Sequence, residues 1–385
     1  MINLIKFELY KIFSKKSVRI TLLMAILFAL FNVVGDSILL KIKGLDSTKD
    51  AYKVMKQHEG KPLTEEGILN IDKTIEELKE KERSGQKLTK EELVYMNYLY
   101  DTMIQLDPAF TVNGKIYTSK TIKDGIDNLE KENKTNEYEY KNLKYVSSRI
   151  DKIENPKYYF SAGWMIPTDF MVIATLLALL VVVGLASIFS DEYQSNTAQV
   201  ILSCRRGKAK LVAAKIISGL IFTTAVFIII NSMYLLNAMM YDFVGWDKPL
   251  ELFKYFGSTP FDIRIIDFYI SGLAISFVGT ILLALLTMLI SLLVKNNMIS
   301  LLLSFGVYYV PSFLSNYISI GDIGKVFKEI NIAESMRVID LFLYPNTYNI
   351  FGNPVLYPTI LISLVMIFIP VVTCLIRYFG KKQAI

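Results

Sequence analysis

Six stretches of this chain, at about residues 19–40, 169–190, 211–240, 266–294, 298–318 and 355–378, are apolar over the roughly 20 residues a helix needs to cross a bilayer. In lipid a segment must satisfy its own backbone polar groups, so stretches of this kind predict helices. Composition agrees: 52% of the 385 residues are hydrophobic and the mean hydropathy is +0.38. The first stretch carries Asn32 and Asp36 where a cleavable leader would have small residues, so it is read as a retained helix. The fold class expected is an all-α polytopic membrane protein with six transmembrane helices.

Positive charge then orients the spans. Lys6, Lys11, Lys15, Lys16 and Arg19 precede the first, Arg205, Arg206, Lys208 and Lys210 lie between the second and third, and Arg377, Lys381 and Lys382 end the last. All three groups, with Lys295 between spans four and five, fall on one face, and basic flanks stay on the cytoplasmic side. Both termini are therefore expected in the cytoplasm. Residues 1–18 read as an amphipathic interfacial helix, with Ile2, Ile5, Leu9, Ile12 and Phe13 opposed to Lys6 and Lys11. Residues 191–210 form a cytoplasmic elbow and 379–385 a cytoplasmic tail.

The opposite face receives residues 41–168, 241–265 and 319–354. Between positions 41 and 165 there are 22 basic and 22 acidic residues, so the whole net charge of +6 comes from the rest of the chain. Balanced charge suits the surface of a water-soluble domain. Ile68, Ile71, Ile75 and Leu78 recur at helical spacing, as do Ile122, Ile126 and Leu129, then Leu143, Val146 and Ile150. Thr89 and Glu92 have capping-box spacing ahead of an apolar run. Phe110 to Tyr117 reads as a small β-hairpin on Asn113-Gly114. An α-rich extracytoplasmic domain is expected here, and the regular apolar period argues against the other reading, a partly disordered charged loop. Trp164 with Tyr158, Tyr159 and Phe160, and Trp246 further on, suit the outer interface. The stretch 321–343 is amphipathic and is expected to lie along that interface or dip into it.

The chemistry absent from the chain narrows its function. His58 has no Cys or His companion at metal-ligand spacing, so no metal site is expected. There is no GxxxxGK[ST] loop for a nucleotide and no GxSxG nucleophile, so no catalytic residue is assigned and the chain is not expected to be an enzyme by itself. Cys204 and Cys374 both fall on the expected cytoplasmic side. Within the spans, Asp36 and Lys215 lie near helix ends from which they can snorkel to an interface. Asn32, Asn231 and Asn237 are either hydrogen-bonding glue between helices or, with Asp36, polar points along a pathway. The lack of buried carboxylates at mid-span argues against a secondary transporter.

The topology as a whole, and residues 189–215 in particular, resemble the permease subunits of ABC-2-type ABC transporters. That family commonly shows a Phe, an acid, a Gly-Thr pair, a Leu-Ser, a basic turn and a Lys opening the next helix. Here these are Phe189, Glu192, Asn196-Thr197, Leu202-Ser203, Arg205-Arg206 and Lys215, with Asn196 in place of the Gly. The resemblance implies that the elbow is a coupling element for a separate ATPase, involving Glu192, Ser195, Asn196, Thr197, Ser203, Arg205, Arg206 and Lys215. Glu192 either pairs internally or contacts the ATPase, and the arginines serve the coupling, the topology or both. ATP and Mg would be bound by that partner and no cofactor by this chain. A second permease copy or a related permease would complete the pathway, with membrane lipids around it and no nucleic acid involved.

Lys-, Ile-, Tyr- and Asn-rich usage points to a Gram-positive bacterial plasma membrane, and with it to export of a peptide or toxin, or immunity to an antimicrobial peptide. Tyrosines of the outer domain, among them Tyr95, Tyr98, Tyr100, Tyr138, Tyr140 and Tyr145, are structural or meet such a peptide. The alternative is a non-transporting receptor or assembly factor whose outer domain senses a ligand.

Overall fold

The computed structural model describes residues 1–385 except 43–51, 54, 58, 63–64, 90–91, 93–94, 97–98, 100–109, 113–114, 118, 151–156, 196–206, 254–255, 318–330 and 383–385. The first helix, α1 (Ile2–Ser14), buries Glu8 and Ile12 and leaves Ile2, Phe7 and Tyr10 exposed. Extended backbone at Lys15 separates it from α2 (Lys16–Ile42). One face of α2, with Leu23, Leu27 and Phe31, is exposed; the other buries Ala25 and Ala29, whose spacing lets neighbouring backbones come close.

Between α2 and the next span lie α3 (Glu65–Arg83), the strands β1 (Phe110–Val112) and β2 (Lys115–Tyr117), α4 (Ser119–Lys131) and α5 (Tyr138–Ile150). The strands pair antiparallel with Thr111 opposite Ile116, as the hairpin reading requires. Both halves of the capping box form: Thr89 N–H donates to Glu92 at 2.8 Å and Glu92 N–H to the Thr89 hydroxyl at 3.3 Å. Two small cores hold this insert. Ile122, Leu143 and Val146 close α4 on α5, and Ile75, Leu78 and Leu99 meet Tyr158 and Phe160 from the return segment.

The bundle follows: α6 (Phe170–Leu185), the single turn and a half of α7 (Ser190–Gln194), α8 (Gly207–Met240), α9 (Ile265–Val294) and α10 (Asn297–Tyr317). Asp169 caps α6 by accepting from Val172 N–H at 3.3 Å. That helix is apolar all round because it is the bundle's centre, with Ile173, Leu177 and Val181 fully buried. It meets α8 where Gly184 faces Phe222; a Cβ there would sit 2.3 Å from the ring. Packed against α6, α9 also touches α8, α10 and the last span.

Of the amphipathic stretch 321–343, residues 321–330 lie outside the described set. The remainder forms two short helices, α11 (Ile332–Arg337) and α12 (Ile339–Leu343), which bury Ala333, Met336 and Leu341. The first, α11, sits in the bundle against α6 and α9, where Gly279 leaves room for Ser335, and α12 packs on the last span. A second hairpin, β3 (Thr347–Ile350) with β4 (Asn353–Leu356), then leads into α13 (Tyr357–Lys382). Val355 and Leu356, read from sequence as the start of the sixth span, are strand residues. The turn is marked by positive φ at Phe351 and Gly352.

Among the described residues, six helices are long and apolar enough to cross a membrane: Lys16–Gly35, Phe170–Gln194, Ala209–Met240, Ile265–Val294, Asn297–Leu314 and Tyr357–Lys382. The protein is an all-α polytopic membrane protein. Successive spans run in opposite directions, so the bundle has an elbow end, with α1 and α7, and an insert end.

Contacts at the insert end are specific. Trp164, placed by sequence at a lipid interface, is 1% exposed, and its indole N–H donates to Val244 O at 3.1 Å and Phe243 O at 3.3 Å. Gly245, with φ +86°, lets Phe160 O approach to 2.6 Å of where a Cβ would be. On the other side α5 docks on the β3–β4 hairpin, where the Thr347 hydroxyl bonds to Tyr138 OH at 3.0 Å and to Asn142 Oδ1 at 2.5 Å.

Candidate functional site

The elbow begins where α6 stops. Its first turn, α7, opens on two amides, Phe189 N–H and Ser190 N–H, which lack partners in their own helix. Both donate to the Ser291 hydroxyl of α9, at 3.1 and 3.2 Å, so another span caps the elbow. Asn297, opening α10, ties it further: its Nδ2 donates to Asp191 at 2.7 Å and its Oδ1 accepts from Ser190 at 2.5 Å.

Beneath this cap lies a buried ionic cluster. Lys215, a little over two turns into α8, is 0% exposed. Its ammonium reaches Glu192 at 2.8 Å, Glu8 at 3.2 Å and Ile188 O at 2.5 Å, and lies 5.3 Å from the centre of the Phe189 ring. The snorkelling expected from its place in the sequence does not occur, because carboxylates from two other elements come to it. Lys11 of α1 completes the set, 3.1 Å from Glu8 and 3.3 Å from Glu192. Two lysines and two glutamates cancel, and Glu8 Oε2 and Glu192 Oε1 are each shared by both lysines; such pairing is the condition under which charge is tolerated away from water. Alongside, Lys15 bonds Asp191 at 2.8 Å and the Ser187 hydroxyl at 2.5 Å. Burial alone would lower the pKa of Lys11; the carboxylates of Glu8 and Glu192 outweigh it and hold that pKa above its ordinary value.

The consequence is mechanical. The N-terminal helix, the elbow's first turn and the start of α8 are one unit, pinned by groups whose separation would strand a charge. Movement of the elbow therefore carries α1 and α8 with it.

Of the residues proposed for coupling, Glu192 and Lys215 are brought together. Ser195 ends α7, its hydroxyl donating to Asp191 O at 2.8 Å. Asn196, Thr197, Ser203, Arg205 and Arg206 lie outside the described residues. Of the polar residues proposed along a pathway, Asn32 donates to Phe28 O at 2.8 Å and Asn231 to Phe227 O at 2.9 Å, each within its own helix. Asn231 Oδ1 and Asn237 Oδ1 are buried on α8 without a hydrogen bond. The side chain of Asp36 is outside the described set.

Sequence reasoning missed Glu8, Lys11, Lys15, Ser291 and Asn297 as parts of this site. Glu8 did carry a signal. It is the one acid before Asp36, and it stands on the apolar face, between Ile5 and Ile12. Among the described residues no group of three or more His, Cys, Asp and Glu side chains is placed to hold a metal ion.

A family model described as ABC-2 family transporter protein matches residues 2–383, nearly the full length. The chain belongs to that family. As an ABC-2 chain it is a membrane permease, a transmembrane component that works with an ABC ATPase carried on a separate subunit. No curated protein and no solved structure matches it.

Proposed function

We propose that this permease forms the translocation pathway of an ATP-driven exporter and that residues 191–210 are its coupling elbow. The observation that carries the reading is the cluster of Lys215, Glu8, Glu192 and Lys11 at the elbow's root. An ATPase that grips the elbow from outside would find it rigidly joined to α1 and α8, so closure of the ATPase becomes tilt of spanning helices. Glu192 belongs to the inner, structural side of that joint; Arg205 and Arg206 are the groups offered to the partner. ATP and Mg are bound by the ATPase, and a second copy or a related permease supplies the other half of the pathway.

In this reading both termini and the elbow face the cytoplasm of a Gram-positive bacterium, where the basic residues of α1, the elbow and the tail collect. The insert and the β3–β4 hairpin face outward. The cargo is a peptide or toxin, or an antimicrobial peptide against which the exporter gives immunity.

The test is co-purification with the ATPase encoded beside it, followed by ATP hydrolysis for the wild type, Arg205→Ala/Arg206→Ala and Glu192→Ala. The arginine variant should detach the ATPase or lower its affinity, and Glu192→Ala should keep binding but uncouple hydrolysis from peptide. Failure of any ATPase to bind would sink the exporter reading and bring forward the receptor one.

A further inference from the structure

A cavity of about 640 Å³ opens at the elbow end between the start of α2, the end of α6 and the start of α10. Its polar wall holds Lys15, Lys16 and Asn297, and its apolar wall holds Val183, Met298 and Leu301. The volume is in the range of small-molecule sites. We propose that it binds one anionic phospholipid, with the phosphate at Lys16 and an acyl chain along the groove between α6 and α10.

Three features argue for that occupant. First, the cavity changes character along its length as a phospholipid does. The lysines stand where α2 leaves the membrane, and Met298 and Leu301, three residues apart on one face of α10, lead away from them into the span. Second, the charge is unbalanced. The carboxylate lining the cavity, Asp191, already holds Lys15 at 2.8 Å and accepts from Asn297 at 2.7 Å. Lys16 is exposed and, among the described residues, makes no ion pair, so it is the open cation. The positive end of α2 adds the same sign. Third, Met298 is 72% exposed at this rim, an apolar surface that a water-soluble anion would leave uncovered and an acyl chain would cover. A choline headgroup would bring its own cation to Lys16, whereas a glycerol headgroup would not; basic pockets between spans select for the anionic kind.

The site has a structural partner. Ser187, Asp191 and Asn297 line it from the elbow side and also hold the elbow's first turn. A lipid seated there braces α10 and α2 against the joint that carries α1 and α8.

The experiment is native mass spectrometry of the full chain released from a neutral detergent, titrated with dioleoylphosphatidylglycerol, dioleoylphosphatidylcholine or inorganic phosphate. One phosphatidylglycerol should bind in preference to phosphatidylcholine. Lys16→Gln should weaken it roughly fivefold, the share of one lysine near an anionic headgroup. Leu301→Trp, which narrows the apolar wall, should weaken both lipids. Lys381→Gln/Lys382→Gln, at the same end of the bundle but on α13, should change neither. The proposal is overturned if Lys16→Gln keeps the wild-type preference and Leu301→Trp the wild-type affinity, if inorganic phosphate competes as well as lipid, or if the α13 control loses as much as Lys16→Gln. Since Lys16 is exposed and Leu301 half-buried, both positions tolerate change without loss of the fold.

Discussion

The elbow's root and the insert use the same residue types in opposite ways. At the root, Lys215 and Glu8 have side chains 0% and 3% exposed. In the insert, Lys81 and Glu92 pair at 2.5 Å with side chains 35% and 29% exposed, and Lys134 and Glu132 at 2.7 Å with 46% and 57%. Distances alone would rank the insert pairs with the buried ones. Exposed pairs are worth little, since water replaces a lost partner. A buried pair is not strongly stabilising as such either, yet breaking it is costly, because the remaining charge has nowhere to go. The root is thus specified by what happens when one member is missing, and the insert by its apolar cores.

The comparison can be broken most directly at Lys215. Lys215→Met removes the fully buried cation from Glu8 and Glu192 and should cost about 3–5 kcal/mol, read by denaturant unfolding in detergent. Adding Glu192→Gln should recover more than half of that loss; no recovery would mean the lysine acts by packing and not by charge. Next comes Glu8→Gln, which keeps the shape but weakens the bonds from Lys215 and Lys11, at about 1.5–3 kcal/mol. It should also loosen α1, seen as faster amide hydrogen exchange over Ile2–Ser14. In the insert, Thr89→Ala removes half of a capping box for about 1 kcal/mol, and the loss should stay local in the same exchange experiment.

The smallest effect also has a pH signature. Hydrogen bonds from the Lys81 ammonium, then from the Thr89 amide and hydroxyl, hold the Glu92 carboxyl at about 2, below its ordinary 4.5. Its contribution is present above pH 4.5 and is lost as the pH falls towards 2. Lys11, with a pKa held above 10.5, has the opposite sign: its contribution is full below 10.5 and is lost as the pH rises through the higher folded value. Unfolding curves of the wild type and Glu92→Gln should therefore differ at neutral pH and converge on the acid side, while those of the wild type and Lys11→Met should converge on the alkaline side.

Features set by neighbours in sequence were legible. Apolar length announced the spans, helical spacing announced the α4–α5 core, and Thr89 with Glu92 announced a cap. The break between α6 and α8 was legible too, because charge separates two apolar runs. What holds it was not, since Glu8 and Lys215 are 207 positions apart and nothing local pairs them. Lys215 was read as a residue near an interface, the usual fate of a lysine at a helix end. Trp164 was misplaced for a related reason: an aromatic beside a span suits a lipid interface as well as a buried seat, and the acceptors that choose the seat, Phe243 and Val244, come 79 and 80 residues later. The β3–β4 hairpin was hidden because its residues, Thr347 to Leu356, continue an amphipathic stretch; the turn at Phe351-Gly352 was the overlooked mark.

The buried cluster also has an order in time. A chain emerges from the ribosome N-terminus first, and both carboxylates, at positions 8 and 192, precede the lysine at 215. The acid of α1 and that of the elbow have both been made when synthesis reaches α8. Lys215 is thus the last member of the cluster to be made, after both of its counter-charges. A permuted chain that began in the elbow and made α8 before α1 would have to insert that lysine without Glu8, so the root of the elbow constrains the sequence in which the protein can be built as well as the shape it reaches.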